Sequence, residues 1–230
     1  MGERDGEQDA DLRAFRDAWL REQDGPSGRR YAEALDAAGR LGEAVEVCER
    51  MWELGYVAGY TDAAWLEHDA GRLPEAIARM QEAIAYLEGE DRRSAAGIVG
   101  SWLWEAGDGA AEGWLRAGLA DHPEARPDLA ALLAATDRGD EGERLLEEGV
   151  AAGAVLCMLP LANLRDEQGR GGEAEALYRR AFAAGDAYSA WNLALLLERQ
   201  GRTAEAADWR WRAAQGGDEV AIRALTDGLG

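Results

Sequence analysis

The apolar positions of this chain follow a helical period, and the pattern repeats along most of its length. Residues 151–181 align with residues 183–213 without a gap, at an offset of 32 residues. On both sides of Gly201, apolar residues recur every three or four positions, which is typical of amphipathic helices. Each aligned segment therefore predicts two helices joined by a short turn.

The predicted turn contains a glycine that recurs at intervals of 32, 36, 32, 30 and 32 residues. These intervals lie in the range of solenoid repeats. Glycine adopts without strain the left-handed conformation that ends a helix. Strands are not expected, because the sequence lacks β-branched alternation and Asn-Gly pairs. The pattern predicts six helix–turn–helix hairpins, whose turn glycines are Gly39, Gly71, Gly107, Gly139, Gly169 and Gly201.

Small residues mark the predicted contact between the two helices of each hairpin. Ala or Gly stands seven residues before and five residues after most turn glycines, as Ala162 and Ala174 do around Gly169. Helix axes approach to about 8–10 Å only where the side chains between them are small. The exceptions are Leu132, Glu112 and Arg144, which fall in the third and fourth hairpins.

The small residues, the turn followed by Glu-Ala, and the period resemble tetratricopeptide repeats. The last two hairpins, each followed by a Gly-Asp link at 185–186 and 217–218, are similar to Sel1-like repeats, a related bacterial family. The resemblance covers residues 28–230. It implies an all-α, right-handed α-solenoid of about six helix-turn-helix repeats with an N-terminal capping helix, which serves as a binding scaffold. The chain departs from the usual repeat at Glu67 and Arg165, where an aromatic or aliphatic residue is common.

The chain is interpreted as one continuous solenoid with a helical cap. Leu12, Phe15 and Trp19 share one face of a predicted N-terminal helix, which we expect to cover the open end of the first repeat. Two prolines predict a bend at 122–127. The predicted divisions are a flexible acidic tail at 1–9, the capping helix and linker at 10–27, repeats one to three at 28–121, and repeats four to six at 122–230.

Charge narrows the classes of partner. The chain carries a formal net charge of −20, has a pI near 4.5 and contains no lysine. Nucleic acids and anionic membrane surfaces are disfavoured as partners, because both are bound mainly through Lys and Arg. The lack of lysine also excludes a Schiff-base lysine and a P-loop lysine. Together with the abundance of Ala and Gly, it indicates a bacterium with a high-GC genome.

The sequence also predicts where the protein resides. Cys48 and Cys157 are too few and too far apart for a disulfide framework or a zinc site. The acidic N-terminus lacks the apolar core of a secretory signal. No apolar run approaches the roughly 18 residues of a membrane span. A cytoplasmic protein is expected.

No catalytic, cofactor-binding or metal site is predicted. The glycine-rich segment 107–113 imitates a phosphate loop, but it lies at a repeat turn with no strand before it. His68 and His122 fall in different repeats, and no serine lies in a nucleophile elbow. The chain is therefore predicted to need no cofactor and not to be an enzyme.

The nine tryptophans point to an interaction surface. In segments 102–104 and 209–211, two rings lie two residues apart and point about 200° apart on a helix. One ring of each pair is therefore expected at a groove or interface. In the resembling families the first helices line the concave face, and residues ten, six and three before each turn glycine share one stripe there. The predicted partner-binding residues are Trp65, His68, Trp104, Asn163, Asp166, Tyr188, Trp191 and Glu198.

The predicted groove combines aromatic rings with carboxylates. The expected partner is therefore a protein or peptide that carries Arg or Lys beside apolar anchor residues. Two alternatives stay open. The Trp-lined groove would also suit a small-molecule-sensing or enzyme-like solenoid. The C-terminal segment 221–230 has little polar capping, which is compatible with self-association into a homo-oligomer.

Overall fold

The computed structural model describes the backbone of residues 2–227 and the side chains of residues 10–223. Within this part all regular secondary structure is helical, which confirms the predicted all-α fold class. The helices are α1 (Gly2–Glu22), α2 (Gly25–Ala37), α3 (Leu41–Glu53), α4 (Ala58–Asp69), α5 (Leu73–Ile84), α6 (Gly89–Glu105), α7 (Ala111–Gly118), α8 (Ala125–Ala135), α9 (Gly139–Ala151), α10 (Met158–Glu167), α11 (Gly171–Ala183), α12 (Tyr188–Arg199), α13 (Thr203–Gln215) and α14 (Glu219–Asp227). A short 3₁₀ turn, Val155–Cys157, precedes α10.

The chain divides into two compact units, Met1–His122 and Pro123–Gly230. In the first unit, α2/α3, α4/α5 and α6/α7 pack as helix hairpins, and α1 packs against α2. In the second unit the hairpins are α8/α9, α10/α11 and α12/α13, and α14 packs against α13. The six predicted hairpins are therefore present, three in each unit. Helix α14 follows the sixth hairpin and is not among the predicted elements.

Helix α1 packs on the first hairpin through a glycine. A Cβ placed on Gly28 of α2 would lie 2.7 Å from Met51 and 2.9 Å from Trp19, so both side chains need a neighbour without a side chain. Trp19 is buried in this contact, which is the physical basis for interpreting α1 as a cap. The helix begins at Gly2, inside the predicted tail at 1–9. The predicted tail, the linker end at 27 and the bend at 122–127 stay predictions.

Each hairpin turn ends its first helix with a left-handed residue, which we call the turn residue. Gly39 has a φ of 72°, a conformation that glycine adopts without steric penalty. The next residue, Arg40, donates its backbone N–H to the carbonyl of Leu35 at 2.8 Å, and the same bond closes all six turns. In four turns this arginine also pairs with a glutamate three residues on, as Arg40 does with Glu43. That ion pair holds the start of the second helix.

The predicted turn residue of the fourth hairpin is wrong by two positions. The left-handed residue is Asp137, with a φ of 58°, whereas Gly139 is the first residue of α9. Aspartate reaches this conformation more easily than most residues, because its short polar side chain forms local hydrogen bonds. With the turn at Asp137, the small residues at the helix contact are Ala130 and Gly142, and the expected position at Leu132 is wrong. A Cβ on Gly142 would lie 2.7 Å from the Ala130 carbonyl oxygen.

The expected contact positions at Glu112 and Arg144 are wrong for the same kind of reason. Arg144 is exposed and Glu112 is half-buried. In the third hairpin the turn is longer than elsewhere, since α7 begins at Ala111, four residues after Gly107 rather than two. Ala111 is fully buried, and across this hairpin a Cβ on Gly100 would lie 2.6 Å from the Leu115 backbone nitrogen. The helix contact of the third hairpin therefore does not follow the spacing of the other hairpins.

Two hairpins carry a buried charge where the other four have leucine. The leucines, four residues before the turn residue, are Leu35, Leu103, Leu133 and Leu197. Glu67 and Arg165 occupy this position in the second and fifth hairpins and are 3% and 2% exposed. A buried charge is tolerated only when it is paired. Glu67 accepts a hydrogen bond from Arg79 Nε at 2.8 Å, and Arg165 forms ion pairs with Glu143 and Glu147 of α9.

Candidate functional site

In the first unit, a cleft of about 260 Å³ lies between α2 and α4, the first helices of two consecutive hairpins. We call it the α2/α4 cleft. Its walls are formed by Arg29, Ala32 and Glu33 of α2 and by Asp62, Trp65, Leu66 and Asp69 of α4. Cys48 of α3 forms its floor. Burial raises the pKa of the Cys48 thiol to about 12, so the thiol stays protonated and acts as a small apolar group.

Trp65 is 42% exposed at this cleft and is supported from behind by two other rings. Trp102 of α6 meets it edge to face, with ring centroids 5.0 Å apart. His68 stacks on Trp102 at 4.7 Å, and its ring nitrogens lie 3.3 Å from carboxylate oxygens of Asp69 and Glu105. These contacts restrict the rotation of the Trp65 ring. The cleft therefore presents the exposed face of Trp65 in a defined orientation.

The α2/α4 cleft carries an excess of negative charge. Arg29 donates two hydrogen bonds to Asp62, from Nε at 2.8 Å and from Nη2 at 3.0 Å. These bonds raise the pKa of Arg29, and the charges of Arg29 and Asp62 offset each other. Glu33 and Asp69 add two further carboxylates to the walls. An aromatic face with carboxylates beside it suits a cationic side chain.

In the second unit, a cleft of about 270 Å³ lies between α10 and α12, and we call it the α10/α12 cleft. Tyr178 of α11 is buried at its floor, and burial raises the pKa of Tyr178. The protonated hydroxyl donates to Asn163 Oδ1 at 2.8 Å, and Asn192 Nδ2 donates to the same oxygen at 3.2 Å. Asp166 and Arg199 form an ion pair between the two walls. The remaining lining residues are Glu167 and Leu195.

The two clefts occupy equivalent positions of the repeat. In both, the floor residue lies nine residues after the turn residue, at Cys48 and Tyr178. The helix before each cleft contributes the residue six before its turn, which is Glu33 or Asn163. The helix after each cleft contributes the residues nine, six and two before its own turn. These are Asp62, Trp65 and Asp69 in one cleft and Asn192, Leu195 and Arg199 in the other.

The structure distributes the predicted partner-binding residues over several places. Trp65 and His68 lie at and behind the α2/α4 cleft, and Asn163 and Asp166 line the α10/α12 cleft. Trp191 and Glu198 meet Arg210 of α13, which lies 5.8 Å over the Trp191 ring and forms an ion pair with Glu198. Trp104 is half-buried in α6, and the ring that meets Trp65 is Trp102. Tyr188 is 64% exposed at the start of α12.

Several cleft residues are not among those predicted, and the geometry of a cleft explains why. A cleft between two helices is lined by one face of each, and the two faces are rotated relative to each other. The predicted stripe describes the helix that precedes a cleft, as Arg29 and Glu33 show. The following helix shares the position six before its turn with that stripe, but its other two cleft positions are displaced by one residue, which rotates the lining face around the helix axis. A second stripe at nine, six and two residues before each turn would have identified Asp62 and Asn192.

Among residues 10–223, no group of three or more His, Cys, Asp or Glu side chains is placed to hold a metal ion. None of the described helices combines the length and the apolarity needed to cross a bilayer. Cys48 and Cys157 are both buried free thiols.

Repeated hairpins with clefts between their first helices define a tetratricopeptide-like α-solenoid fold, and comparison with solved structures agrees. A tetratricopeptide repeat protein from Parabacteroides merdae matches with a TM-score of 0.65 and 15% identity, over 98% of this chain and 94% of that chain. The C-terminal part of a TPR repeat-containing protein from Cytophaga hutchinsonii matches with a TM-score of 0.57 and 13% identity, over 96% of each chain.

A third match is the APC/C hetero-tetramer Cut9-Hcn1, with a TM-score of 0.65 and 12% identity. It covers 98% of this chain, which spans 47% of that chain. No protein-family model and no curated protein matches the sequence. At these identities the structural likeness shows the fold alone, which is that of tetratricopeptide-like repeats.

Proposed function

We propose that this chain is a non-catalytic interaction scaffold whose α2/α4 cleft binds a peptide segment with a basic side chain beside an apolar one. The observation that supports this proposal is the exposed ring of Trp65, held by Trp102 next to Glu33 and Asp69. We propose further that it acts in the cytoplasm of a bacterium. The partner is a protein or peptide, and neither a nucleic acid nor a membrane.

The ring of Trp65 would provide the apolar contact with the peptide. Tryptophan is enriched among the interface residues that contribute most to affinity, because its ring buries a large area. A ring that is already held in place loses little conformational entropy when a ligand covers it. The edge-to-face contact between Trp65 and Trp102 provides this ordering before binding. We therefore expect Trp65 to act as an anchor point for an apolar or cationic side chain.

The carboxylates of Glu33 and Asp69 would provide the polar contact with the peptide. An Arg or Lys side chain of a ligand can lie over the face of Trp65 and pair with Glu33 or Asp69. The net charge of −20 would also speed the encounter with a basic partner. Because these carboxylates are open to solvent, added salt should weaken binding modestly.

The volume of the α2/α4 cleft suits a few side chains of a longer ligand better than a complete small molecule. Pockets that enclose small molecules measure about 300–1,000 Å³. The α2/α4 cleft, at about 260 Å³, lies just below this range and is open to solvent on one side. It therefore fits one or two side chains of a peptide better than a whole small molecule.

The proposal is tested by selecting random linear dodecapeptides against the full chain and measuring the affinity of the best binder. Selected peptides should be enriched in Arg or Lys next to Leu, Phe or Trp. Trp65→Ala should weaken the best peptide by about 2 kcal/mol, which is roughly thirtyfold. Trp211→Ala is the matched control, because Trp211 is 54% exposed on α13 and does not line the cleft. The double variant Glu33→Gln, Asp69→Asn should weaken binding and reduce its salt dependence.

The outcomes separate the alternatives. Equal affinity of wild type and Trp65→Ala for the selected peptide would remove the α2/α4 cleft from consideration. Enrichment of acidic peptides would contradict the charge argument. A metabolite that raises the melting temperature, in the absence of any peptide binder, would favour the sensing alternative. A homo-oligomer mass in light scattering would favour self-association.

A further inference from the structure

Three aromatic rings form a cluster between the second helices α3 and α5, outside the α2/α4 cleft. Trp52 of α3 meets Tyr60 of α4 with ring centroids 4.5 Å apart. Tyr86, two residues after the end of α5, meets Trp52 edge to face at 4.6 Å. We call these three rings the α3/α5 cluster, and none of them lines the α2/α4 cleft. Tyr86 is 59% exposed, so a large part of its ring is open to solvent.

The α3/α5 cluster already holds one arginine of the chain. The guanidinium of Arg79 lies 5.5 Å over the ring of Tyr60. Its Nη2 donates to Glu49 at 2.7 Å, and its Nε donates to Glu67 at 2.8 Å. A planar guanidinium can stack on an aromatic face while its N–H groups donate to carboxylates. The rings and carboxylates of this cluster are therefore arranged as an arginine side chain requires.

In the second unit, the equivalent rings between α11 and α13 are covered by arginines of the chain. Phe182 stands thirteen residues after its turn residue, as Trp52 does, and meets Trp209 of α13 edge to face at 5.2 Å. Arg179 and Arg212 lie over the Trp209 ring at 5.1 Å and 4.7 Å. Trp209 is buried as a result. Two guanidinium groups thus cover the aromatic surface between these second helices.

In the first unit, glutamates occupy the positions of these two arginines. Glu49 stands ten residues after its turn residue, as Arg179 does. Glu82 stands eleven residues after its own turn residue, as Arg212 does, and it is exposed on α5. Burial and the charge of Glu82 raise the pKa of Tyr60, which shows that this carboxylate lies beside the cluster. The same positions that cover the rings in one unit therefore leave them beside carboxylates in the other.

We propose that the α3/α5 cluster is a docking point for an arginine side chain of a partner protein. The guanidinium lies over the open ring of Tyr86 and donates to Glu82, which stands four residues earlier in the chain. The partner thus supplies from outside the contact that Arg212 provides within the second unit. This surface is separate from the α2/α4 cleft, so the inference goes beyond the proposed function and holds whether or not that cleft binds a peptide.

The charges around the cluster favour arginine over other side chains. Arg79 is shared between Glu49 and Glu67, so with Glu82 the carboxylates outnumber the guanidinium group. An apolar side chain would cover Tyr86 but would also remove Glu82 from water without a partner, which costs free energy. A lysine ammonium is a point charge and does not stack as a plane on a ring. An acidic partner would be repelled by the net charge of −20.

The test uses the full chain with ¹³C-labelled tyrosine rings and N-acetylarginine methylamide as the probe. The chain contains six tyrosines, and single substitutions to Phe assign their NMR resonances. We expect the Tyr86 resonance to move as the probe is added. The citrulline analogue has nearly the same shape without the charge and should bind about fivefold more weakly. Tyr188 is the internal control for general attraction to an acidic chain, because it is 64% exposed on α12.

A pair of charge-reversal variants tests the position of the site. Glu82→Arg gives the first unit the arginine that the second unit has at this position, so the rings should be covered from within. This variant should keep its melting temperature and lose the probe-induced shift of Tyr86. Glu75→Arg makes the same change of charge at another exposed position of α5, and its affinity for the probe should stay within about twofold of wild type. Trp65→Ala should leave the Tyr86 shift unchanged.

The remaining outcomes would overturn the inference. Equal shifts of Tyr86 and Tyr188, or equal affinities for the arginine and citrulline probes, would remove the arginine site and leave the proposed function standing. Undiminished binding to Glu82→Arg would do the same. A larger Tyr86 shift with choline than with the arginine probe would replace the partner protein by a small quaternary ammonium ligand. A Tyr86 resonance that moves with protein concentration, before any probe is added, would make a second copy of this chain the occupant.

Discussion

Replacing Arg165 tests whether a hairpin core accepts a charge only because that charge is paired. Arg165 is 2% exposed and forms ion pairs with Glu143 and Glu147 of α9. It also contacts Gln168 of its own helix at 3.1 Å and Glu173 of α11 at 3.5 Å. Leucine fills the same position in four other hairpins. Arg165→Ala removes the charge and the packed side-chain stem, whereas Arg165→Leu removes the charge and restores the side chain used elsewhere.

The two substitutions should differ by about 2 kcal/mol in the free energy of unfolding. After Arg165→Ala, Glu147 and Glu173 can turn to solvent, because their side chains are already 49% and 55% exposed. Glu143 stays mostly buried and keeps a hydrogen bond from Gln168 Nε2 at 2.7 Å and an ion pair with Arg170 at 3.7 Å. Removing one partner of a buried pair costs about 3–5 kcal/mol, and the accessible glutamates place the expected loss near about 3 kcal/mol. Arg165→Leu exchanges the buried charge for an apolar side chain and should stay within about 1 kcal/mol of wild type.

Urea unfolding of the full chain measures both changes. Because repeat arrays can unfold in more than one step, hydrogen exchange of the amides in α9, α10 and α11 locates the effect. Arg144→Ala is the control, since Arg144 is exposed on α9 and should change the stability by less than about 0.5 kcal/mol. If Arg165→Leu loses as much stability as Arg165→Ala, the ion pairs contribute net stability. Leucine would then not be equivalent to the paired arginine at this position.

Two further predictions concern the helix contact and the effect of pH. Gly142→Ala should destabilise the fold by about 1–3 kcal/mol, because its Cβ would lie 2.7 Å from the Ala130 carbonyl oxygen. Gly172→Ala, on an open face of α11, should stabilise it by up to about 1 kcal/mol, and thermal unfolding checks both signs. Hydrogen bonds from Arg202 hold the pKa of Glu175 below its ordinary 4.5, so this stabilisation is complete above pH 4.5 and is lost as the pH falls through the lower folded-state pKa. Urea midpoints on either side of pH 4.5 should fall less for Glu175→Gln than for wild type, and an equal fall would contradict the assignment.

The hairpin order can be predicted from the sequence because the geometry of a turn demands particular residues. A left-handed residue must end each first helix, and small residues must stand where two helices touch. The fourth hairpin shows the limit of a pattern that relies on glycine alone. Gly139 is only the first residue of α9, and Asp137 adopts the left-handed conformation two residues earlier. A pattern that admits Asp at this position would also have found the contact between Ala130 and Gly142.

The candidate site is predictable only in part, because a cleft depends on how two hairpins face each other. Helical spacing identifies Trp65, Asn163 and Asp166, which lie on one stripe of their own helix. It cannot identify Trp102, because spacing within α6 does not determine which ring faces α4. Nor does it show that Tyr178, on a second helix, lies at the floor of a cleft between two first helices. The positions of Trp102 and Tyr178 depend on packing between helices, which the residue spacing within a single helix does not reveal.

The contacts among Trp65, His68 and Trp102 show how hairpins with the same backbone arrangement acquire different surfaces. Trp102 and His68 occupy the space between α4 and α6, so that Trp65 is supported on one side and open to the α2/α4 cleft on the other. A ring with no support would lose more rotational freedom on binding, and a fully covered ring could not bind. In the second unit Leu195 takes the position of Trp65, and the hydrogen bonds of Asn163 provide the order instead. Since the turns and the small contact residues maintain the hairpin packing, the residues six and nine positions before each turn are free to vary, and they give each cleft its own charge and polarity.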